Sequence, residues 1–229
     1  MKRPELVLAL DLPDAGAAIG MLERLPEVRW VKVGSILMTR EGPALVRDLV
    51  GRNLQVFLDL KWHDIPNTVR EAVTAARGLG VRMVTVHTLG GIEMMTAAAE
   101  AAGPDLAVVG VTVLTSHTAG SYGAALGRSE PDLVAEAVRQ ARNAVQAGVT
   151  GVVCSPREAG PVRQAVGAGP LIVVPGIRRA TDPADDQSRT ASPLEAGRAG
   201  ATHLVIGRPV LRAGDPRAAW TSLLADLAG

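Results

Sequence analysis

Short apolar runs alternate with longer amphipathic stretches along the whole chain. The runs are rich in Val, Ile and Leu, which is typical of buried strands, whereas the stretches begin at helix-capping residues and end at Gly, which is typical of helices. The sequence contains eight such pairs. The predicted strands are residues 6–10, 30–34, 56–60, 83–87, 106–114, 151–155, 171–175 and 203–207.

Two of the predicted helices begin with the same signature. Residues 155–158 and residues 192–195 each place Ser at the N-cap, Pro at the first helical position and Glu at the third. Asp215-Pro216 begins the last helix in a similar way. These signals predict where three of the helices start.

The apolar strands indicate a parallel sheet that is buried on both faces. Eight β–α units in 229 residues fit a closed (β/α)8 barrel, a TIM barrel of the α/β class, in which residues 1–229 form a single domain. An open doubly wound sheet is the alternative. The dinucleotide-binding form of that sheet carries Gly-x-Gly-x-x-Gly after its first strand, and this sequence has no such motif there.

Composition narrows the class of ligand. The net charge is +1 and the aromatic residues are three Trp, one Tyr and one Phe, so the chain has neither the basic character nor the stacking residues that nucleic-acid binding requires. The longest uncharged stretch, residues 106–127, is interrupted by polar residues and is a poor membrane span. A single cysteine, Cys154, excludes an internal disulfide. With no signal-peptide pattern, we expect a cytoplasmic protein that binds a small molecule.

Polar residues concentrate where the predicted strands end, which is the active-site end of a (β/α)8 barrel. Because side chains alternate along a strand, Asp59 and Lys61 point the same way, and both point into the barrel if Phe57 does. A buried ion pair can cost more to desolvate than its attraction returns, so this placement suggests a chemical role. The polar strand-end residues are Asp11, Lys32, Asp59, Lys61, His87, Thr115, Ser116, Arg178 and Arg208.

Lysine is rare in this chain. Of the 24 basic residues only Lys2, Lys32 and Lys61 are lysines, and two of these three stand at the ends of predicted strands. An ammonium group can give up a proton, whereas a guanidinium group is effectively never deprotonated. Lys32 and Lys61 are therefore the first candidates for chemistry. The alternative is that both are structural lysines whose charged ends reach solvent at the barrel mouth.

Asp59, Lys61 and Asp64 form the array Asp-x-Lys-x-x-Asp. Lys32 from the neighbouring strand would extend this array into a network of alternating acids and bases. Asp64 also stands just before Ile65-Pro66, where a helix begins, so that residue taken alone fits a helix cap equally well.

The segment DLKWHDIPNT, residues 59–68, resembles the signature of the orotidine 5′-monophosphate decarboxylase family. The resemblance implies a lyase, without cofactor or metal, that converts orotidine monophosphate to uridine monophosphate and carbon dioxide in pyrimidine biosynthesis. It extends in order along the chain to residues 9–11, 31–34, 115–116, 175–178, 185–187 and 207–209.

The same resemblance implies roles for the residues of the array. Lys61 would stabilise the carbanion that forms at C6 of the pyrimidine and would then protonate it. Asp59 would lie against the carboxylate of the substrate. Lys32 would help to hold this pair in place, and Asp11 and Lys32 would also suit the ribose hydroxyls.

Asp64 completes the predicted catalytic set in a different way. The resemblance places Asp64 and Thr68, with Ile65 between them, in the active site of a neighbouring subunit, which implies a homodimer with shared sites. Thr115 and Ser116 would contact the pyrimidine.

A phosphate site is expected at Gly207-Arg208-Pro209, where a flexible turn, a forked cation and a helix start coincide. Residues 175–193 form a connection much longer than the roughly 2 to 6 residues usual between a strand and a helix, and we interpret it as a lid. Arg178 and Gln187 lie on this lid and can donate hydrogen bonds to the phosphate when it closes. The alternative is a surface insertion without a role.

Two other functions are compatible with the sequence. A magnesium-dependent sugar-phosphate decarboxylase or synthase on the same scaffold would share the Asp-x-Lys-x-x-Asp array, and a non-catalytic nucleotide-binding barrel would share the fold. The long connection that carries Gln187 argues against the former, and the intact Asp59 and Lys61 argue against the latter. The sequence assigns no role to Trp62, His63, His87 and His117.

Overall fold

Eight parallel strands close into a barrel in the computed structural model, which describes residues 3–178 and 190–227. Each strand pairs with the next one along the chain, and the last pairs with the first. The predicted (β/α)8 barrel is confirmed, and the open sheet is excluded. The strands are β1 (Glu5–Ala9), β2 (Trp30–Gly34), β3 (Gln55–Trp62), β4 (Met83–His87), β5 (Ala107–Val111), β6 (Gly151–Val153), β7 (Leu171–Val174) and β8 (His203–Ile206).

Helices follow the strands and cover the outside of the barrel. None of the helices in the described ranges is long and apolar enough to cross a membrane. A 3₁₀ turn, Thr88–Gly90, links β4 to its helix. The helices are α1 (Ala15–Glu23), α2 (Ser35–Gly51), α3 (Pro66–Gly78), α4 (Gly91–Ala102), α5 (Ala119–Ala125), α6 (Leu133–Gln146), α7 (Pro156–Val166), α8 (Pro193–Arg198), α9 (Arg208–Leu211) and α10 (Pro216–Asp226).

Strand side chains alternate between the inside of the barrel and the layer beneath the helices. The outward-facing side chains join the helices in a large apolar core, and the inward-facing ones form a smaller separate cluster. Phe57 belongs to the inner cluster, so the inward orientation expected for Asp59, two residues later, is confirmed. The inner cluster consists of Val7, Ala9, Phe57, Met83, Val109, Val173 and Val205.

The three predicted helix starts are confirmed. At the start of α8 the Ser192 hydroxyl accepts a hydrogen bond from the Glu195 N–H, and the Glu195 carboxylate accepts one from the Ser192 N–H. The Glu158 carboxylate accepts from the Ser155 N–H at the start of α7 in the same way. The Asp215 carboxylate accepts from two N–H groups in the first turn of α10. At the starts of α8 and α10, the side chain of the capping residue thus accepts from otherwise unpaired N–H groups of the first turn.

Some strand boundaries differ from the prediction. β5 ends at Val111 instead of residue 114, because β6 ends at Val153 and offers no further backbone groups for pairing. Thr112 makes the last link, since its N–H and its hydroxyl both donate to the Val153 carbonyl. β3 runs to Trp62, two residues further than predicted, which carries it past Lys61.

His203 is buried at the amino-terminal end of β8. Its ring meets Trp30 edge-on, with ring centroids 5.1 Å apart, and its Nδ1 atom lies 3.0 Å from the Thr202 hydroxyl. Burial lowers the pKa of His203 to about 4, because the charged imidazolium would lose its hydration. The ring is therefore neutral in the folded protein at neutral pH.

We predict that His203 makes the fold sensitive to acid. Below the ordinary histidine pKa of 6.5 the unfolded chain takes up a proton that the folded chain does not. The free energy of unfolding should therefore fall as the pH drops from 6.5 towards 4, by up to roughly 3 kcal/mol. Denaturant titrations of the wild type and of His203→Gln across this range measure the effect. The variant should lose less stability over the interval than the wild type, and equal losses would contradict the assignment.

Candidate active site

A cavity opens at the carboxyl-terminal end of the barrel, where the polar strand ends were predicted to meet. Seven strands contribute side chains to its lining, and β4 is the exception. This is the end at which (β/α)8 barrels place their active sites, because the strand ends and the following loops converge there.

One wall of the cavity, formed by β1 to β3, carries a cluster of four charged side chains, those of Asp11, Lys32, Asp59 and Lys61. Asp59 lies at the centre: its Oδ2 atom is 3.5 Å from Lys32 Nζ, and both carboxylate oxygens are 2.9 Å from Lys61 Nζ. Lys32 Nζ also lies 3.2 Å from Asp11 Oδ1. An alternating network of acids and bases is present as predicted, but within one chain its fourth member is Asp11 and not Asp64.

The environment of Asp59 keeps its carboxyl group ionised. Only 11% of the Asp59 side chain is exposed, and burial alone would raise its pKa. The charges of Lys32 and Lys61, with hydrogen bonds from Lys61 and Thr85, outweigh that effect, so the pKa of Asp59 lies below its ordinary value. The site therefore holds a fixed negative charge against Lys61, whose own side chain is 40% exposed towards the cavity mouth.

The backbone of Lys61 has an unusual conformation. Its φ of 52° lies in the left-handed region, which residues with a side chain rarely adopt. The pairing of β3 with β4 also shifts register between Leu58 and Trp62. The regular two-residue alternation assumed from the sequence therefore breaks at Lys61, although its ammonium group still reaches Asp59. Backbone strain of this kind is typical of functional sites.

The wall across the barrel from the charges is apolar. It is formed by β5 to β7 and by the residues that follow them. A ligand in the cavity would thus contact ionic groups on one side and hydrocarbon on the other. The apolar lining residues of this wall are Val111, Val113, Leu114, Val153, Val173 and Ile177.

Gly207 and Arg208 line the cavity beyond the end of β8, next to Gly176 from the end of β7. Gly176 has a φ of 79°, a conformation that glycine adopts without strain, and this allows the tight turn out of β7. Arg208 is the first residue of α9. Gly207 and Arg208, two of the residues predicted to bind phosphate, therefore both line the cavity.

The two ends of the predicted lid are joined to each other. Ile177 and Ala191 form an isolated parallel bridge, and the Arg178 N–H donates to the Ala191 carbonyl at 3.0 Å. Arg178 is buried. Gln187 belongs to residues 179–189, which lie outside the described part of the chain.

Thr115 lines the cavity, whereas Ser116 is exposed and is not among the lining residues. Buried hydrogen bonds anchor the loop that carries them. Gln140 Nε2 on α6 donates to the Tyr122 hydroxyl on α5 at 2.6 Å, and the Thr88 hydroxyl donates to Gln140 Oε1 at 2.6 Å. Through these bonds the loop after β5 is attached to the end of β4.

Asp64, Ile65 and Thr68 are exposed and do not line the cavity of their own chain. Asp64 Oδ1 accepts a 2.7 Å hydrogen bond from the Ile65 N–H. Helix α3 begins at Pro66 with Ile65 in the N-cap position, so Asp64 is not the helix cap. Within one chain, the structure brings together three of the four predicted catalytic residues and leaves Asp64 apart.

Ile65 is one of several exposed apolar side chains at the cavity end of the barrel. They lie at or near the starts of α2, α3 and α4, which follow β2, β3 and β4 at the cavity end of the barrel. Ile65 is 65% exposed and Ile36 is 58% exposed, which is high for isoleucine. Leu89 and Ile92 continue the group, which we call the mouth patch: Ile36, Ile65, Leu89 and Ile92.

His87 stands behind the charged wall. It is half-buried, stacks on His63 with ring centroids 5.5 Å apart, and does not line the cavity. Burial, followed by the charges of His63, Lys61 and His117, lowers the pKa of His87 to about 4. Among the residues that the structure describes, no group of three or more His, Cys, Asp or Glu side chains is placed to hold a metal ion.

Thr85 is a site residue that the sequence interpretation missed. Its side chain is fully buried, and its hydroxyl donates to Asp59 Oδ1 at 3.0 Å. The available signal was a polar residue in the middle of the apolar strand MVTVH, on the same face as His87.

Comparisons with known proteins agree on one family. The model of the family described as Orotidine 5′-phosphate decarboxylase / HUMPS matches residues 4–223. A protein from Opitutus terrae named orotidine 5′-phosphate decarboxylase is 46% identical over 227 residues, which are 97% of this chain and 98% of that protein. A protein of the same name from Alkalilimnicola ehrlichii is 49% identical over 232 residues, which are 100% of this chain and 98% of that protein. The crystal structure of orotidine 5′-phosphate decarboxylase from Lactobacillus acidophilus superposes with a TM-score of 0.87, at 32% identity and 100% coverage of both chains.

Proposed function

The chain belongs to the orotidine 5′-phosphate decarboxylase / HUMPS family, and from this premise we propose that the charged wall of its barrel is the catalytic apparatus. The reaction is the decarboxylation of orotidine 5′-monophosphate to uridine 5′-monophosphate, a step of pyrimidine biosynthesis. The observation that carries the proposal is the contact of both Asp59 carboxylate oxygens with Lys61 Nζ at 2.9 Å inside the cavity.

Lys61 is the proposed proton donor. The reaction breaks the bond between C6 and the carboxylate carbon, and it leaves the bonding electron pair on C6, where the ring cannot delocalise it. An ammonium group next to C6 stabilises this negative charge as it develops. Lys61 Nζ then gives a proton to C6, its neutral amine regains one from water, and carbon dioxide departs. A guanidinium group could not replace it, because it does not give up a proton.

Asp59 is proposed to face the carboxylate of the substrate. The two lysines keep Asp59 ionised, so a bound carboxylate meets a fixed negative charge that it no longer meets once it has left as neutral carbon dioxide. The apolar wall acts in the same direction, since Val111, Val153 and Val173 solvate a charged group poorly. Both effects favour the loss of the carboxylate.

Lys32 and Asp11 are proposed to bind the ribose. Both line the cavity, and their mutual contact of 3.2 Å places a donor and an acceptor side by side, as two neighbouring hydroxyls require. Lys32 also contacts Asp59 at 3.5 Å and so connects ribose binding to the catalytic pair. Thr115 and Ser116 are proposed to contact the pyrimidine, and the position of Thr115 in the lining supports this.

Arg208 is proposed to bind the phosphate together with the backbone of Gly207. Both line the cavity beyond the end of β8, and a guanidinium group pairs well with phosphate oxygens. Arg178 directly follows Ile177, which lines the cavity. We propose that Arg178 and Gln187 bind the phosphate alongside Arg208 when the lid closes.

A homodimer is proposed to complete the site. Asp64, Ile65 and Thr68 do not line the cavity of their own chain. Ile65 itself belongs to the mouth patch of exposed apolar side chains, and Asp64 directly precedes it. Covering that patch with a second copy would remove its apolar surface from water and would carry Asp64 of each chain towards the other chain's cavity. The catalytic set would then comprise Lys32, Asp59 and Lys61 from one chain and Asp64 from its partner.

We predict that turnover of orotidine 5′-monophosphate is independent of magnesium. The rate can be followed by ultraviolet absorbance in two samples of enzyme and substrate, one with excess EDTA and one with added magnesium chloride. The rates should agree, because Lys61 and Asp59 supply the charges that act on C6. A magnesium-dependent sugar-phosphate enzyme would leave the nucleotide unchanged, and a non-catalytic binding protein would show saturable binding without a change in absorbance. Either result would overturn the proposed mechanism.

The shared site predicts complementation between inactive variants. Lys61→Ala and Asp64→Ala homodimers should each be impaired, whereas unfolding and refolding them together should regenerate activity. In a mixed dimer one site collects both defects and the other collects neither. Random reassociation makes about half of the dimers mixed, so roughly a quarter of all sites should be wild type.

The control for this experiment is each variant refolded alone, which should stay impaired. Mass spectrometry of the mixture shows whether chains have exchanged. Exchange without any gain in activity would mean that Asp64 acts within its own chain, and the proposed sharing of sites would then be wrong.

A further inference from the structure

The backbone of Lys61 needs support from outside its own strand. Its φ of 52° departs from the extended conformation of a strand, and the pairing of β3 with β4 shifts register between Leu58 and Trp62. The Lys61 N–H therefore does not enter a regular backbone ladder. An N–H group that is partly removed from water and lacks an acceptor is costly, so another acceptor must hold this partly buried one.

Thr85 on β4 supplies that acceptor with its side chain. The Thr85 hydroxyl oxygen accepts a hydrogen bond from the Lys61 N–H at 2.8 Å, and the same hydroxyl donates to Asp59 Oδ1 at 3.0 Å. Thr85 has no exposed surface. One buried hydroxyl thus contacts the main chain of Lys61 and the carboxylate of Asp59.

These contacts close a ring of hydrogen bonds. Asp59 Oδ1, which accepts from Thr85, also accepts from Lys61 Nζ at 2.9 Å. The ring therefore runs from the Lys61 N–H through the Thr85 hydroxyl and the Asp59 carboxylate to the ammonium group of Lys61 itself. Removing the hydroxyl would release the strained backbone of Lys61 and the carboxylate of Asp59 together.

We propose that Thr85 is a positioning residue for decarboxylation, and that its hydroxyl holds Asp59 and Lys61 in their reactive arrangement. Thr85 does not line the cavity, so it acts through these two residues and not on the substrate. The inference rests on the catalytic roles proposed above for Asp59 and Lys61.

Two comparisons among three variants separate the effect of the Thr85 hydroxyl from the effect of side-chain packing. Thr85→Val keeps the shape of threonine and loses the hydroxyl, whereas Thr85→Ser keeps the hydroxyl and loses a methyl group. Thr85→Ala, compared with Thr85→Ser, removes the hydroxyl in a second background and serves if the valine variant does not fold. We expect the valine and alanine variants to lose roughly 10- to 100-fold in kcat with little change in KM. The serine variant should stay within about threefold of the wild type.

Thr202→Val is a matched control at the opposite end of the barrel. The Thr202 hydroxyl also accepts from a backbone N–H, that of Ile172 at 3.0 Å, and also donates, to the Ile172 carbonyl at 3.1 Å. Its loss should lower the midpoint of thermal unfolding without changing kcat. Amide hydrogen exchange followed by NMR adds a readout independent of turnover: the Lys61 amide should lose protection in Thr85→Val and keep it in Thr85→Ser.

The outcomes separate this inference from the proposed function. If Asp59→Ala abolishes turnover but Thr85→Val retains kcat within about twofold and protects the Lys61 amide, only the role of Thr85 is overturned. If Thr85→Ser is impaired more than Thr85→Val, the methyl group and not the hydroxyl matters, and the inference is again wrong. If Asp59→Ala itself retains full turnover, the proposed catalytic roles fail first.

Discussion

The burial of one carboxylate, that of Asp59, constrains the rest of this site. Removing an ionised group from water costs several kcal/mol unless partners replace the water. Here the partners are Lys32 on β2, Lys61 on β3 and Thr85 on β4, all within 3.5 Å. Because each partner is on a different strand, the position of Asp59 depends on the mutual register of three neighbouring strands. The closed barrel, which fixes the register of each strand against two neighbours, is the scaffold that such a contact requires.

The same closure divides the cavity into two chemically different walls. A cluster of four charged side chains comes from the ends of β1 to β3, and most of the apolar side chains come from β5 to β7 and the residues that follow them on the other side. Decarboxylation needs both, because a carboxylate must become a neutral molecule while a carbanion forms beside it. Preorganised charges stabilise the carbanion without reorganising during the reaction. The apolar wall favours the conversion of the charged carboxylate to neutral carbon dioxide.

Much of this arrangement follows from local rules in the sequence. Strand alternation placed Asp59 on the inner face with Phe57, and the scarcity of lysine singled out Lys32 and Lys61. The same rules could not reveal that Lys61 has a positive φ, or that its N–H donates to the Thr85 hydroxyl across the strand pair instead of to a backbone carbonyl. Nor could spacing alone show that Asp64, three residues after Lys61, lies outside the cavity of its own chain, because this depends on how the chain leaves β3. Both features are determined by three-dimensional contacts and chain path, which the spacing of residues within one strand does not show.

The ammonium group of Lys61, held on Asp59, is the proposed proton donor to C6 of the substrate. The most direct measurement is the kcat of Lys61→Ala and Lys61→Arg with orotidine 5′-monophosphate, alongside thermal unfolding and binding of uridine 5′-monophosphate. Both variants should fold and bind the product, and both should be essentially inactive, because alanine has no charge and guanidinium is a poor proton donor. An arginine variant that retained more than about a tenth of the wild-type kcat would contradict the account.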